Sequence, residues 1–392
     1  MSSPNKTIPY ATQWIDEADI EAVVRILRSD WLTQGPAIER FERRVAEYCG
    51  AKHAVAVCNA TAALHLACVA LGLKPGEMLW TSPNSFVASA NCGRYCGADV
   101  DFVDIDPRTY NLSVEKLTQK LEAAAKTGRL PKIVIPVHFA GQSCEMATIH
   151  VLSRRYGFHI IEDGAHAMGG RYQGKPIGDC RFSDVAVFSF HPVKIITTGE
   201  GGMLLTNRDD LYEKLVRLRT HGITRDARFI RGESHGPWYY EQAELGFNYR
   251  MTDIQAALGE SQMARIDRFI ARRRELAQRY DELLKNLPLT LPRQCPDTES
   301  AWHLYVIRVR LDEIKKTHRQ VFEELRAAGV GVNLHYIPVH TQPYYQKIGF
   351  KPGQFPEAER HYAEAISLPM FPKLSDAEQD RVAAAVKRAL TT

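Results

Sequence analysis

From residue 54 to residue 206, short apolar runs alternate with segments of helical periodicity, and this alternation leaves few folds open. The spacing predicts strands over 54–58, 78–80, 100–103, 132–136, 159–161, 185–190 and 203–206. Helices are expected between them, over 60–71, 85–96, 114–125 and 146–156. A chain patterned in this way forms a mostly parallel sheet with helices on both faces. Ligands of such sheets collect beyond the carboxyl ends of the strands, which decides which residues can meet. Ahead of this region, 16–27 has helical spacing, and Pro36 can open a further helix because proline suits a first turn. Past residue 250 the pattern changes. A long helical stretch over 252–284 is followed by strand 302–309, helix 320–327, strand 330–334 and helix 376–389. The expectation is an α/β domain over 1–250, beginning with an extended arm over 1–13, and a smaller α+β domain over 251–392.

Composition narrows the function classes. The formal net charge of +4 is weak for 392 residues, and no Lys/Arg-rich run stands out, so a nucleic-acid surface is not expected. No stretch approaches the roughly 20 apolar residues of a membrane span. MSSPNKTIPY, at the start, lacks the apolar segment of a signal peptide. The cysteines at 49, 58, 68, 92, 96, 144, 180 and 295 are scattered through mainly apolar segments, which fits free thiols in a reducing cytoplasm. Cys92 and Cys96 have no second close Cys/His pair, and His335 and His340 have no carboxylate cluster, so no metal is expected. Gly169–Lys175 resembles a phosphate-binding loop, but Pro176 replaces the Ser/Thr that would ligate magnesium, and a hairpin turn is the simpler reading. There is no G-x-G-x-x-G and no G-x-S-x-G.

The chemistry centres on the segment Asp184–Gly202, DVAVFSFHPVKIITTGEGG. An apolar strand here empties into a loop carrying Ser189, His191 and Lys194. An amine at the end of a buried strand is costly as an ammonium ion, and its neutral form is the nucleophile of Schiff-base chemistry with a carbonyl cofactor. An ordinary surface lysine is the competing reading. Asp163 ends the strand at 159–161, where a carboxylate can keep a pyridine nitrogen protonated or can simply cap a helix. Asn59-Ala60-Thr61 opens a helix after a strand, where free N–H groups and the helix dipole would hold a phosphate. Ser189 can add a hydroxyl to that phosphate. Phe86, at another strand-to-helix turn, can stack on an aromatic ring or be ordinary core.

Taken together, NATAALHLA (59–67), SFVASAN (85–91), EDGAHAMG (162–169), FSFHPVKIITTGEGG (188–202), GFNYRMTDIQAALG (246–259) and YIPVHTQPYY (336–345) resemble the nucleotide-sugar aminotransferases of the DegT/DnrJ/EryC1/StrS family. The resemblance implies the type I fold of enzymes dependent on pyridoxal 5′-phosphate (PLP), a mostly parallel large domain with a smaller α+β domain. By the same resemblance Lys194 binds the cofactor aldehyde and Asp163 its ring nitrogen. Ala60, Thr61 and Ser189 hold its phosphate, with alanine at position 60 where the family usually has glycine. Phe86 and His166 lie against the ring. Asn248 matches an asparagine that reaches the phosphate of the neighbouring subunit, which implies a homodimer with shared active sites. IPYATQWID and TSPNSFVASANC look most like pseudaminic-acid pathway enzymes. Those aminate C4 of a UDP-linked 4-keto-6-deoxy-N-acetylhexosamine with L-glutamate as donor.

A site that accepts glutamate and a UDP-sugar by turns is expected to be open and partly basic. Arg225, Arg228 and Arg231, in a polar stretch, are candidates for the diphosphate, the alternative being a solvated loop. Tyr10, His335 and Tyr336 are candidates for the sugar pocket. Three rivals remain. One is an aminotransferase for another 3- or 4-keto nucleotide sugar. The second is a PLP-dependent dehydratase on the same fold, although relatives of that kind carry histidine where this chain has Lys194. The third is a non-catalytic regulator, for which no DNA-binding module is visible.

Overall fold

The computed structural model describes residues 7–391, so residues 1–6 of the expected arm lie outside the described residues. Seven strands form the central sheet: β1 (His53–Val57), β2 (Met78–Thr81), β3 (Asp99–Phe102), β4 (Ile133–Ile135), β5 (His159–Asp163), β6 (Val185–Ser189) and β7 (Gly202–Thr206). Their spatial order is β1-β7-β6-β5-β4-β2-β3. Neighbours from β6 to β3 pair in parallel, and β7 runs antiparallel to both β1 and β6. The mostly parallel sheet is therefore present.

Its strands are apolar on both faces because both faces are covered. Val55 and Val57 point to one core, while Ala54 and Ala56 point to another. Helices α1 (Glu17–Leu27), α2 (Pro36–Cys49), α3 (Ala60–Ala70), α4 (Ala88–Tyr95), α5 (Val114–Thr127), α6 (Met146–Tyr156), α7 (Asp209–Leu218), α8 (Asp253–Met263) and α9 (Ile266–Leu284) surround it. On the first face α3, α4 and α7 pack against Val55, Ile161 and Val187. On the other, α2 and α8 cover Ala186 and Phe188, and α5 and α6 cover Trp80 and Val134. The Tyr172–Lys175 turn is a hairpin, with Arg171–Tyr172 pairing antiparallel to Lys175–Pro176.

A second, three-stranded antiparallel sheet has Tyr305–Val309 between Leu289–Thr290 and Ala365–Leu368. Its own core joins Ile307 and Leu368 to Tyr280 of α9 and Val386 of the helix Asp376–Thr391. No helix among the described residues is long and apolar enough to cross a membrane. All eight cysteines are free thiols, five of them buried.

Three expected elements differ. The stretch 252–284 is two helices, broken at Ala264–Arg265. There Arg265 turns to an ion pair with Asp16 and Asp19 of the α1 start, and Gln262 donates to the Trp14 carbonyl at 3.0 Å. Docking of α1 thus interrupts a continuous helical pattern. No strand forms over 330–334. Val330 instead bridges Ile8, and Asn333 bridges Ser367 on a different segment. The helix expected over 85–96 begins only at Ala88, because Ser85 and Phe86 remain in the turn after β2.

Candidate active site

Beyond the carboxyl ends of β1, β5 and β6 lies a cavity of about 480 Å³. One end is built by the start of α3. Asn59 caps that helix, its side chain accepting the Ala62 N–H at 2.8 Å. The N–H groups of Ala60 and Thr61 belong to the first turn, where a helix supplies no acceptors of its own. Opposite them, Gly202 is in register with Val57 on one side and Ser189 on the other. A Cβ on Gly202 would lie 2.5 Å from the Asn59 carbonyl carbon and 2.7 Å from the Ala60 nitrogen. Only glycine lets β7 pass so close to the helix start. Gly202→Ala is expected to cost about 1–3 kcal/mol through this clash, read as a lower melting temperature and weaker cofactor retention.

Asp163, the last residue of β5, is buried. Its Oδ2 accepts the Ser89 hydroxyl at 2.6 Å and its Oδ1 the Ala165 N–H at 3.1 Å. Lys194 lies in the loop after β6, its N–H bonded to the His191 carbonyl at 2.9 Å. Desolvation lowers its amine to about 8, against the opposing pull of the Asp163 charge. The neutral amine is the nucleophile. Capture of PLP by the apo-protein is therefore expected to accelerate about tenfold per pH unit up to about pH 8 and then level off. An undepressed lysine would keep accelerating to about pH 10, and stopped-flow absorbance separates the two profiles.

Three buried imidazoles wall the cavity. His166 Nδ1 accepts the Ala140 N–H at 3.3 Å, so the ring proton of the neutral form sits on Nε2, 3.0 Å from the Tyr336 hydroxyl. Burial, reinforced by the nearby Lys194, keeps His166 well below the usual histidine range. His303, with its ring centroid 4.4 Å from that of His166, is pushed the same way, again mainly by burial. His335 is pushed down to about 3 by burial and by Lys194, and its Nδ1 lies 2.7 Å from the Ser367 hydroxyl. The buried Arg273 guanidinium donates to the Trp302 and His303 carbonyls at 3.0 and 3.2 Å, fixing that segment under the cavity.

Ala60, Thr61, Phe86, Asp163, His166, Ser189 and Lys194 all line this cavity, as do Tyr10, His335 and Tyr336. Phe86 is exposed, its ring centroid 6.5 Å from that of Tyr336. Asn248 and the three arginines do not line it. Asn248 instead bridges Thr220. Arg225, Arg228 and Arg231 sit between the paired strands Ile223–Thr224 and Glu241–Gln242. Arg228 is already neutralised by Asp226 and Glu213, each at 2.7 Å, which pins the segment to α7. Among the described residues of one chain the lining holds one lysine, no arginine and the carboxylates Asp163 and Glu200. The basic wall expected for a diphosphate is therefore not supplied by this chain's own cavity.

Sequence reasoning also missed lining residues, among them Ser85, Ser89, Glu200 and His303. Ser85 and Ser89 were findable, being four residues apart at the start of the helix expected over 85–96. His303 carried no local signal, because it arrives from the far half of the chain.

PLP combines an anionic phosphate, a ring nitrogen that must stay protonated and an aldehyde. The cavity presents a helix N-terminus opened by Gly202, a buried carboxylate and an amine of depressed basicity. These residues fit that group.

Comparison with known proteins agrees. The family model described as the DegT/DnrJ/EryC1/StrS aminotransferase family matches residues 13–387. The spore coat polysaccharide biosynthesis protein SpsC of Bacillus subtilis is 41% identical, covering 98% of this chain and 97% of its own. Among solved structures, Helicobacter pylori PseC, an aminotransferase of pseudaminic acid biosynthesis, superposes with a TM-score of 0.90 at 30% identity, covering 98% of this chain and 99% of that one. The PLP-form of Spr1654 from Streptococcus pneumoniae gives a TM-score of 0.87 at 29% identity, covering 98% of this chain and 100% of that one.

Proposed function

Because the chain belongs to the DegT/DnrJ/EryC1/StrS aminotransferase family, we propose that it moves the amino group of L-glutamate to C4 of a UDP-linked 4-keto-6-deoxy-N-acetylhexosamine, an amination step of pseudaminic acid biosynthesis. The chain is a PLP-dependent sugar aminotransferase of the type I fold. The observation that carries the narrower substrate is the likeness to PseC over nearly the whole of both chains. A cytoplasmic homodimer belongs to the same proposal. So does a division near residue 250 between a cofactor-binding domain and a smaller C-terminal one.

Bound PLP supplies the electron sink that stabilises charge at the reacting carbon and carries the amino group between the two substrates. The rest of the work falls to side chains. Lys194 takes the proton from Cα of glutamate as general base, and in the second half-reaction its ammonium form delivers a proton to C4 of the sugar. A depressed amine suits both tasks, since a catalytic pKa near the working pH allows either direction. Asp163 holds the proton on the ring nitrogen. Ala60 and Thr61 bind the phosphate through backbone N–H groups and Ser189 through its hydroxyl, while Phe86 and His166 orient the ring. Burial keeps His166, His303 and His335 neutral, so none competes for the moving proton.

A second copy completes the site in this proposal. Asn248 does not line its own cavity and in this proposal serves the partner's phosphate, while Arg225, Arg228 and Arg231 serve the diphosphate, Arg228 by exchanging its Asp226 and Glu213 partners. Tyr10, His335 and Tyr336 contact the sugar.

The test incubates the holoenzyme with glutamate and a panel of UDP- and dTDP-linked 3- and 4-keto sugars, with products read by mass and NMR. Amination at C4 of the UDP-linked N-acetylhexosamine, faster than of any other panel member, is expected. Preference for another keto-sugar would replace the substrate. Loss of a hydroxyl without need of glutamate would mark a dehydratase.

A further inference from the structure

We propose that Ser89 is a positioning residue for this reaction, fixing the Asp163 carboxylate at the end of a one-way chain of hydroxyls that starts at Ser85. The inference rests on the function proposed above. Ser89 Oγ lies 2.6 Å from Asp163 Oδ2, and Ser85 Oγ lies 2.6 Å from Ser89 Oγ. All three side chains are buried, at 3%, 1% and 5% exposure for Ser85, Ser89 and Asp163. An ionised carboxylate only accepts, and a serine hydroxyl has a single proton to give. Ser89 therefore donates to Asp163, and Ser85 must donate to Ser89. The chain Ser85→Ser89→Asp163 has one direction, and each bond polarises the next.

Other groups around Asp163 do not replace this donor. Its Oδ1 takes the Ala165 N–H. Lys194 faces it from the loop after β6, Tyr336 from the C-terminal half and Cys144 from the segment after β4. Tyr336 and Cys144 are held protonated, chiefly by burial. The Tyr336 hydroxyl is engaged with His166, and the Cys144 thiol points to the Val137 carbonyl. Oδ2 thus depends on Ser89. Without that hydroxyl a buried carboxylate oxygen loses its partner, and the carboxylate is no longer fixed toward the cofactor's ring nitrogen. A ring nitrogen held there would keep its proton less firmly. The ring withdraws electrons less well, and the bound cofactor holds its own titrating proton to higher pH.

The experiment compares wild-type, Ser89→Ala, Ser89→Thr and Ser85→Ala holoenzymes. Each is read by pH titration of the cofactor's visible absorbance and by kcat and KM for glutamate. For Ser89→Ala, kcat is expected to fall about 10- to 100-fold with little change in KM, and the titration midpoint to rise by roughly half a unit to one unit. Ser89→Thr, which keeps the hydroxyl, should restore both. Ser85→Ala should shift both in the same directions by less, and it decides the matter if Ser89→Ala does not fold. An unchanged midpoint and kcat in the folded alanine variants, beside an active wild type, overturns the hydroxyl chain alone, as does Ser89→Thr behaving like alanine. A wild-type protein with no cofactor band overturns the chain and the proposed function together.

Discussion

Lys194→Ala is expected to leave a folded protein that no longer aminates the sugar. The amine carries two duties in the proposed function, covalent capture of the cofactor aldehyde and transfer of the reacting proton. Loss of proton transfer alone removes about 10²–10⁴-fold in rate. Nothing nearby substitutes for it. Among the described residues the cavity lining has no second lysine, and its buried imidazoles are held neutral by desolvation, well below the range in which they would take up a proton at neutral pH. Removing a costly buried ammonium should not harm folding, so the melting temperature should stay near the wild-type value. Product formation followed by mass spectrometry, with PLP added in excess, checks the expectation. Amination at near wild-type rate would remove Lys194 from the mechanism.

The second large effect is expected for Asp163→Asn. The amide keeps the shape and one acceptor, so the phosphate end of the site should still retain part of the cofactor. The negative charge that keeps the ring nitrogen protonated in the proposed function is gone, however. Losing one preorganised electrostatic partner of this kind costs about 10²–10³-fold in kcat. The amide NH₂ group also places a donor where the Ser89 hydroxyl donates now, so one of the two must turn away. Kinetics of the glutamate half-reaction, measured at saturating PLP, check this. Unchanged kinetics would show that the carboxylate does not serve the cofactor.

The parts of the fold and site legible in the sequence are those set by local pattern. Strands buried on both faces read as apolar runs, and their carboxyl ends and the turns after them carry Asp163, Asn59 and Lys194 at the sheet end where ligands collect. Those residues could be singled out one by one, and the cavity brings them together. What stayed hidden depends on distant partners. The break at Ala264–Arg265 coincides with an ion pair to Asp16 and Asp19 at the start of α1, far away in the chain. Nothing local in the sequence sets Gly202 apart from Gly199 and Gly201, because its importance lies in a 2.5 Å approach to a residue on another element. Arg228 looked free, yet its charge is taken up by Asp226 and by Glu213 of α7, a helix not recognised beforehand. The strand Ala365–Leu368 was missed because a helix, Pro356–Glu364, runs directly into it.

Borohydride reduction of the holo-protein, followed by tryptic mapping, addresses the covalent link most directly. The peptide containing Lys194, and no other, should carry the added mass of a reduced phosphopyridoxyl group, and Lys194→Ala should carry none. Label on a different lysine, or a reduced holo-protein whose Lys194 peptide remains unmodified, would contradict the assignment of Lys194 to the cofactor.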